Sequence, residues 1–479
     1  MTEELDYKEL GVKSGLEIHQ QLDTEKLFCS CPSVLRSDNP DFTFKRKLHA
    51  IAGESGEVDE AVKHEASFDR EFIYQGYNDS TCLIELDEEP PHMINNESLK
   101  IAIQIALLLN CEILPVTQIM RKTVIDGSNT GGFQRTVLIA QNGWIETSLG
   151  KVGIQTIGLE EDAARTIEKS GNSVVYRLDR LGIPLVEIAT SPDMSSPEQI
   201  KEVALQIGDI LRSCKVKRGI GTIRQDINLS IKKHPRVEIK GFQDLKMFVP
   251  TINYEIKRQI ENKNAKSEVR RATPEGGTEF MRPMPGSARM YPETDLPLLK
   301  ISRDFINEIK HTLPQLRSDV RKELGKQGLN DELINLLLKE GKLEEFKSLL
   351  NIIPDTNLIA KMLVLWPKNF STKTDISIEE IKERVSLDVI EIILNELKKE
   401  KITKNDIPDI LLEVAKGKSV KEAISVEKVS SDELETFVIK LIKEKPGLTA
   451  GGYMGIIMAK FKGKASGKEI MDILKKHAK

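Results

Sequence analysis

The sequence predicts an α+β part, with antiparallel strands, followed by an all-helical part. Three observations carry that expectation. Most glycines and turn signals fall before residue 298, where short runs alternate apolar and polar residues as half-buried strands do. From Ile301 onward nearly every segment has helical period, with glycine and proline at the breaks. At 479 residues the chain is also too long for one ordinary core, so more than one domain is expected.

Along the first part, Ser14–Gln20 reads as a strand that sets Glu17 and His19 on one face. Glu97–Leu109, with Ile101, Ile105 and Leu108 at helical spacing, reads as a helix. In Arg135–Ile145, Val137–Ile139 and Trp144–Ile145 flank Asn142-Gly143, a pair that predicts a hairpin turn. Gly153–Ala163 leads into Glu160, Glu161 and Asp162, and Pro184–Thr190 is apolar except for Glu187. A lone carboxylate there costs several kcal/mol unless it is paired or ligates a metal; Arg177 and Arg180 are candidate partners. Ser196, Pro197 and Glu198 predict an N-cap, a first helical residue and an acidic first turn for a helix over Pro197–Arg212, with Val203, Ile207 and Ile210 inward. Gly221–Lys232 is the clearest strand: Ile223, Ile227, Leu229 and Ile231 alternate with Arg224, Asp226, Asn228 and Ser230. That polar set is either a half-solvated face or the floor of a polar cleft. Arg282 to Asp295, with three prolines holding Arg282, Arg289, Glu293 and Asp295, suits a substrate wall better than a linker. The domains expected are residues 1–298, 299–404 and 405–479, the last boundary set by the charged stretch Lys398–Lys401 and by Pro408.

Charged residues make up 30% and apolar residues 39%, which fits packed domains and not a disordered chain. The net charge of −4 argues against indiscriminate nucleic-acid binding, yet ten lysines between Lys440 and Lys479 face only Glu444, Glu469 and Asp472. No apolar run approaches a membrane span, the acidic N-terminus is unlike a signal peptide, and five scattered cysteines suit a reducing compartment, so a cytoplasmic location is expected. Phosphate-loop, dinucleotide-binding, metalloprotease and nucleophile-elbow motifs are all missing. Cys29-Ser-Cys31 has the spacing of half a zinc site, but no second cysteine pair follows to complete four ligands, which counts against one. Glu17, His19, Glu160, Glu161, Glu187 and Asp226 together offer enough hard ligands for Mg²⁺.

Gly15-Leu-Glu-Ile-His19, Leu159-Glu-Glu-Asp-Ala163, Leu185-Val-Glu-Ile188, Ser191-Pro-Asp193, Ile223-Arg-Gln-Asp-Ile-Asn228 and Tyr291-Pro-Glu-Thr-Asp295 resemble, in order, the signature blocks of the B/E subunits of tRNA-dependent amidotransferases. The Arg282–Asp295 form is similar to the archaeal E type, and Gly451–Met458 with Lys462–Gly467 resembles the family's helical tail. The resemblance implies a cradle-like catalytic domain, a helical linker and a tail that grips tRNA. It implies ATP-dependent phosphorylation of a glutamyl group on tRNA(Gln), then amidation with ammonia from an asparaginase-like subunit in a heterotetramer. Metal positions carry over to Glu17, His19, Glu160 or Glu161, Glu187 and Asp226. Arg224, Lys240 and Arg289 would stabilise phosphoryl oxygens, Asn228 and Ser230 would join Arg224 and Lys240 around ATP, and Lys460, Lys462, Lys464 and Lys468 would contact RNA phosphates. Two departures are visible: only about ten residues, Glu261–Arg270, stand where the E type usually carries an inserted domain similar to one in aspartyl-tRNA synthetases, and the cysteine set is incomplete against the zinc site of some B subunits.

Overall fold

The computed structural model describes residues 5–50, 56–58, 60–242, 244–262, 266–284, 290–424, 431–461 and 467–477. The chain divides into two compact units, Met1–Arg317 and Ser318–Lys479.

The first unit is built on an 11-stranded sheet. Its strands include β1 (Lys13–Gln21), and a second, four-stranded sheet contains β2 (Phe42–Arg46) and β3 (Glu71–Gly76). Helix α1 (Glu60–Ala66) lies between β2 and β3 in sequence. Helix α2 (Asn96–Leu108) is capped by Asn95, whose side chain accepts from the Ser98 amide. Strands β4 (Ile119–Thr123), β5 (Phe133–Thr147), β6 (Gly150–Glu161), β7 (Arg165–Ser170), β8 (Ser173–Arg177) and β9 (Pro184–Thr190) follow. Helix α3 (Pro197–Ser213) starts as expected, with Ser196 accepting from the Gln199 amide and Pro197 in the first turn. Next come β10 (Ile223–Ser230), β11 (Val237–Phe242), α4 (Phe248–Glu261), β12 (Glu268–Ala272), β13 (Thr278–Pro283), β14 (Met290–Pro292) and α5 (Arg303–His311).

The large sheet runs β13-β12-β11-β10-β1-β9-β6-β5-β4-β14, with Glu112–Ile113 also pairing to β5. All these pairs are antiparallel except β11 with β12. Its two edges, β13 and β14, are joined by residues 284 to 289 alone. A stretch that short reaches about 25 Å fully extended, whereas ten strands laid flat would set the edges about 40 Å apart. The sheet therefore curls, and its concave side is bounded by strands far apart in its order.

The alternation anticipated for β1 and β10 decides which side is which. Leu16, Ile18, Ile227 and Leu229 share one buried cluster with Ile103 of α2, Val203 of α3 and Ile252 of α4. Those helices cover that face, so the charged alternates point to the concave side. A smaller sheet, β2-β3-β8-β7, packs Phe72, Tyr74, Val174 and Tyr176 together. The Tyr74 hydroxyl donates to the Gly127 carbonyl and the Tyr176 hydroxyl to that of Asp126, fixing the segment that follows β4.

Two expectations are corrected here. Asn142-Gly143 is not a turn: β5 runs through it, and Ser148 and Leu149 make the connection to β6. Asn142 does take the left-handed conformation the pair favours, at φ 57°. Gly143 is required for another reason: a Cβ there would lie 2.2 Å from Cys111 Sγ and 2.6 Å from the Leu109 carbonyl, where the chain leaving α2 crosses β5. Gly143→Ala is expected to lower stability by about 1–3 kcal/mol through overpacking, measured by urea unfolding; an unchanged midpoint contradicts the packing described. The second correction is the boundary, which falls at Arg317 and not at 298 because Leu299, Ile301 and Ile309 pack into the sheet's own core.

The second unit is helical throughout its described residues. Its apolar residues form two clusters, Val320 to Ala423 and Leu434 to Leu474. Helix Ile407–Ala415, opened by Pro408 in its first turn, belongs to the first of these and not to the tail.

Candidate functional site

Strand register assembles the site. His19 of β1 lies opposite Glu187 of β9 and Arg224 of β10, and Glu17 lies opposite Asp226. Glu160 of β6 enters one strand further along, opposite Leu185 of β9. The His19 Nε2 atom is 3.4 Å from Glu17, 3.7 Å from Glu187 and 3.8 Å from Glu160. Candidate ligand atoms of Glu17, His19 and Asp226, and of His19, Glu160 and Glu187, each lie within 4.8 Å of one another. Five residues from four separate segments thus converge around one imidazole.

Two lysines stand among these acids. Lys122 of β4 reaches Glu160 at 2.8 Å and Glu187 at 3.7 Å. Lys240 of β11 donates to Asp226 at 2.6 Å and also pairs with Glu238. A cavity of about 360 Å³ opens over them, lined by Glu17, His19, Lys122, Gln134, Glu160, Asn228, Glu238 and Lys240, with Arg236, Arg282 and Met284 and, from α1, Glu65.

The charges are strongly coupled. Burial, reinforced by Glu187, pushes the Glu17 carboxyl up to about 7. Burial alone would lower the His19 imidazole, but the hydrogen bond to Glu187 and the charges of Glu187, Glu160 and Glu17 carry it up to about 9. Burial works to raise Glu187, yet His19 and Lys122 hold it well below the usual carboxylate range. Glu160 is raised, chiefly by burial, against the pull of Lys122. The site therefore holds an excess of carboxylates that already share protons and ammonium groups. A divalent cation fits this hard donor set, and His19 Nδ1, buried without a hydrogen-bond partner among the described residues, is the kind of orphan that a bound group would satisfy.

Other anticipated residues sit elsewhere. Glu161 points to the opposite face from Glu160 and accepts from Arg135, so it is not brought to the cluster. Arg224 lies on the concave face, but its guanidinium is spread over the buried Asp162 carboxylate at 3.0 and 3.3 Å. Asn228 lines the cavity, Ser230 lies beyond it at the end of β10, and Arg289 is outside the described residues. Neither arginine proposed for Glu187 pairs with it: Arg177 donates to Gln75 and the Arg36 carbonyl, and Arg180 to the carbonyls of Ala163 and Ala164. Its partners are His19 and Lys122. Lys122 escaped the sequence reading because Ile-Met-Arg-Lys-Thr carries no clean alternation.

A second cluster completes what Cys29 and Cys31 began. Cys82 and Glu85 join them, with one ligand atom from each within 4.8 Å of the others. The missing half was a Cys-x-x-Glu pair, invisible to a search for cysteines alone. Lys26, fully buried, sits 3.1 Å from Glu85. Hydrogen bonds from Cys29 and Cys31 lower the Cys82 thiol from its usual range. Three sulfurs and a carboxylate suit a tetrahedral, thiophilic ion such as Zn²⁺.

Residues 12–307 match the GatB/GatE catalytic domain. The chain is 36% identical to the E subunit of glutamyl-tRNA(Gln) amidotransferase from Methanocaldococcus jannaschii, over 99% of this chain and all of that protein. It is 35% identical to the protein of that name from Thermococcus sibiricus, covering 99% of both, and 34% identical to that of Methanothermobacter thermautotrophicus, covering 92% and 93%. The first of these matches extends over 637 positions although this chain has 479 residues, so the relative carries a long stretch with no counterpart here.

Proposed function

Given that the chain belongs to the GatB/GatE catalytic-domain family, we propose that it is the kinase and transamidase subunit of a glutamyl-tRNA(Gln) amidotransferase, working with ATP, Mg²⁺ and an asparaginase-like partner that supplies ammonia. The observation that carries this reading is the convergence of Glu17, His19, Glu160, Glu187 and Asp226 with Lys122 and Lys240 on one concave wall.

The chemistry explains the combination. A carboxylate does not accept ammonia at neutral pH, because oxide is a poor leaving group. Transfer of the ATP γ-phosphoryl group to the glutamyl carboxylate oxygen gives an acyl phosphate and ADP; ammonia then adds at the acyl carbon, phosphate departs and a proton is lost. Mg²⁺ held by Glu17, His19, Glu160, Glu187 and Asp226 would supply charge neutralisation for the phosphates. The chain's own cations do the rest. Lys240, which its acids keep protonated against the effect of burial, and Lys122 face the cavity where negative charge gathers. Arg224, anchored on Asp162, and Asn228 extend that wall, and Arg236 and Arg282 also line the cavity. The curled sheet shields the reacting carbonyl from water, which suits an acyl phosphate that must meet ammonia first.

Unit two, on this reading, supplies the helical linker and a tail that holds tRNA, and the Cys29-Cys31-Cys82-Glu85 cluster is structural. Purified chain is expected to carry zinc that Cys82→Ser loses together with about 2–5 kcal/mol of stability, the range for removing a covalent cross-link from a small fold; metal analysis and thermal unfolding measure both, and a metal-free wild type rejects the assignment. The function itself is tested by incubating the chain with glutamyl-tRNA, ATP and ammonium chloride and identifying the esterified amino acid. Glutaminyl ester formed only with ATP supports the reading. Glutamate recovered unchanged, with no ADP released, rejects it.

A further inference from the structure

The Tyr-Pro-Glu-Thr-Asp segment has no place in the chemistry above, yet its Glu293 is completely buried. Its carboxylate accepts from Arg121 Nε at 2.8 Å and Nη2 at 2.6 Å, from Arg135 Nε at 2.9 Å, and from the Asp295 amide at 3.0 Å. Arg135 also pairs with Glu161. Arg121, Arg135 and Glu161 are each the immediate chain neighbour of a residue that lines the cavity: Arg121 precedes Lys122, Arg135 follows Gln134, and Glu161 follows Glu160. Side chains alternate along a strand, so the network occupies the far side of the sheet directly beneath those three residues. The Glu293 amide also donates to the Ile119 carbonyl, which ties the segment to β4 itself.

We propose that Glu293 is a positioning residue: by clamping Arg121 and Arg135 beneath the sheet, it fixes the strands that present Lys122, Gln134 and Glu160 to the cavity. This rests on the reading of that cavity as the reaction site. A buried, fully hydrogen-bonded ionic cluster has few alternative arrangements, so it holds strands at one separation where an apolar contact would allow sliding. The carboxylate set above it needs that precision, because a shift of an ångström in a reacting group is worth large factors in rate.

The test is Glu293→Gln in the full chain with its amidase partner. The expected result is a kcat lower by about 10- to 100-fold, with KM for glutamyl-tRNA within about threefold of wild type and Mn²⁺ affinity, read by electron paramagnetic resonance, reduced. Asp179→Asn is the control. Asp179 is equally buried, in an ion pair with Arg165 at 2.6 Å, and neither it nor Arg165 lines the cavity. That variant should lose stability while its kcat per folded molecule and its Mn²⁺ affinity stay at wild-type values. If Glu293→Gln does not fold, Arg121→Gln opens the same clamp from its partly exposed end. A folded clamp variant with wild-type kcat and Mn²⁺ affinity overturns the proposal, as does a loss that merely tracks the unfolded fraction in both variants. Glu160→Gln run in parallel separates the two readings: if it too is fully active, the site assignment fails first.

Discussion

Glu187→Gln should form γ-phosphoglutamyl-tRNA about 10³-fold more slowly than wild type, the upper range for losing one preorganised electrostatic interaction, while binding tRNA with unchanged affinity. Glutamine keeps the shape of the side chain in β9 and removes only its charge. That charge is shared by two neighbours: His19 at 3.7 Å and Lys122 at 3.7 Å. Without it, a cation entering the site meets one carboxylate fewer, and the proton that Glu187 helps to hold on His19 loses its main partner. Transfer RNA affinity should hold, because a carboxylate gains nothing from contact with RNA phosphates and this one lies on the concave wall. The measurement is single-turnover transfer of ³²P from labelled ATP, with tRNA binding followed separately by filter retention. Phosphorylation at the wild-type rate would refute the metal assignment outright.

Glu187 was legible from the start, and for a reason that generalises. An acid inside Pro-Leu-Val-x-Ile-Ala-Thr violates the pattern of its own strand, and such a violation persists only where something compensates it. Glu17, His19 and Asp226 were legible through period two alone, since one face of β1 and one face of β10 hold them. What the alternation could not give was which strands pair and in what register, and therefore that Glu160 and not Glu161 turns toward the imidazole through the pairing of β6 with β9 and of β9 with β1. Lys122 sits in a strand without clean alternation, and Glu293, expected on a substrate wall, is instead buried on Arg121 and Arg135; both placements come from a sheet that curls until β4 and β11 wall one cavity. Asn142-Gly143 misled because the local preference for a left-handed residue is real, but the tertiary crossing at Cys111 used it within a strand. Three domains were expected where the chain forms two compact units, and the first runs past residue 298 because Ile301 and Ile309 have helical or loop surroundings yet pack into the sheet's core.

Neutralising Lys460, Lys462, Lys464 and Lys468 together to glutamine is expected to weaken tRNA binding about 10- to 100-fold near physiological salt and to flatten the plot of log affinity against log salt by about three, since each phosphate left without its lysine takes about 0.7–0.9 from the slope. Lys462 and Lys464 are outside the described residues, as is the side chain of Lys468, so the expectation for them rests on the lysine excess after Lys440. Lys460 is exposed at the end of helix Ala450–Lys460, with its ammonium 3.9 Å from the centre of the Phe437 ring. Beneath it, Leu434, Val438, Tyr453, Ile457, Ile470 and Leu474 make a small separate core, so the surface can lose these charges without loss of fold. Catalysis and grip are then separable: the quadruple variant should retain its kcat at saturating glutamyl-tRNA, while its KM is raised and climbs less steeply with salt than that of wild type. A salt titration in which wild type and variant give parallel lines would show that these lysines are only solvated, and that whatever holds the RNA lies elsewhere on the chain.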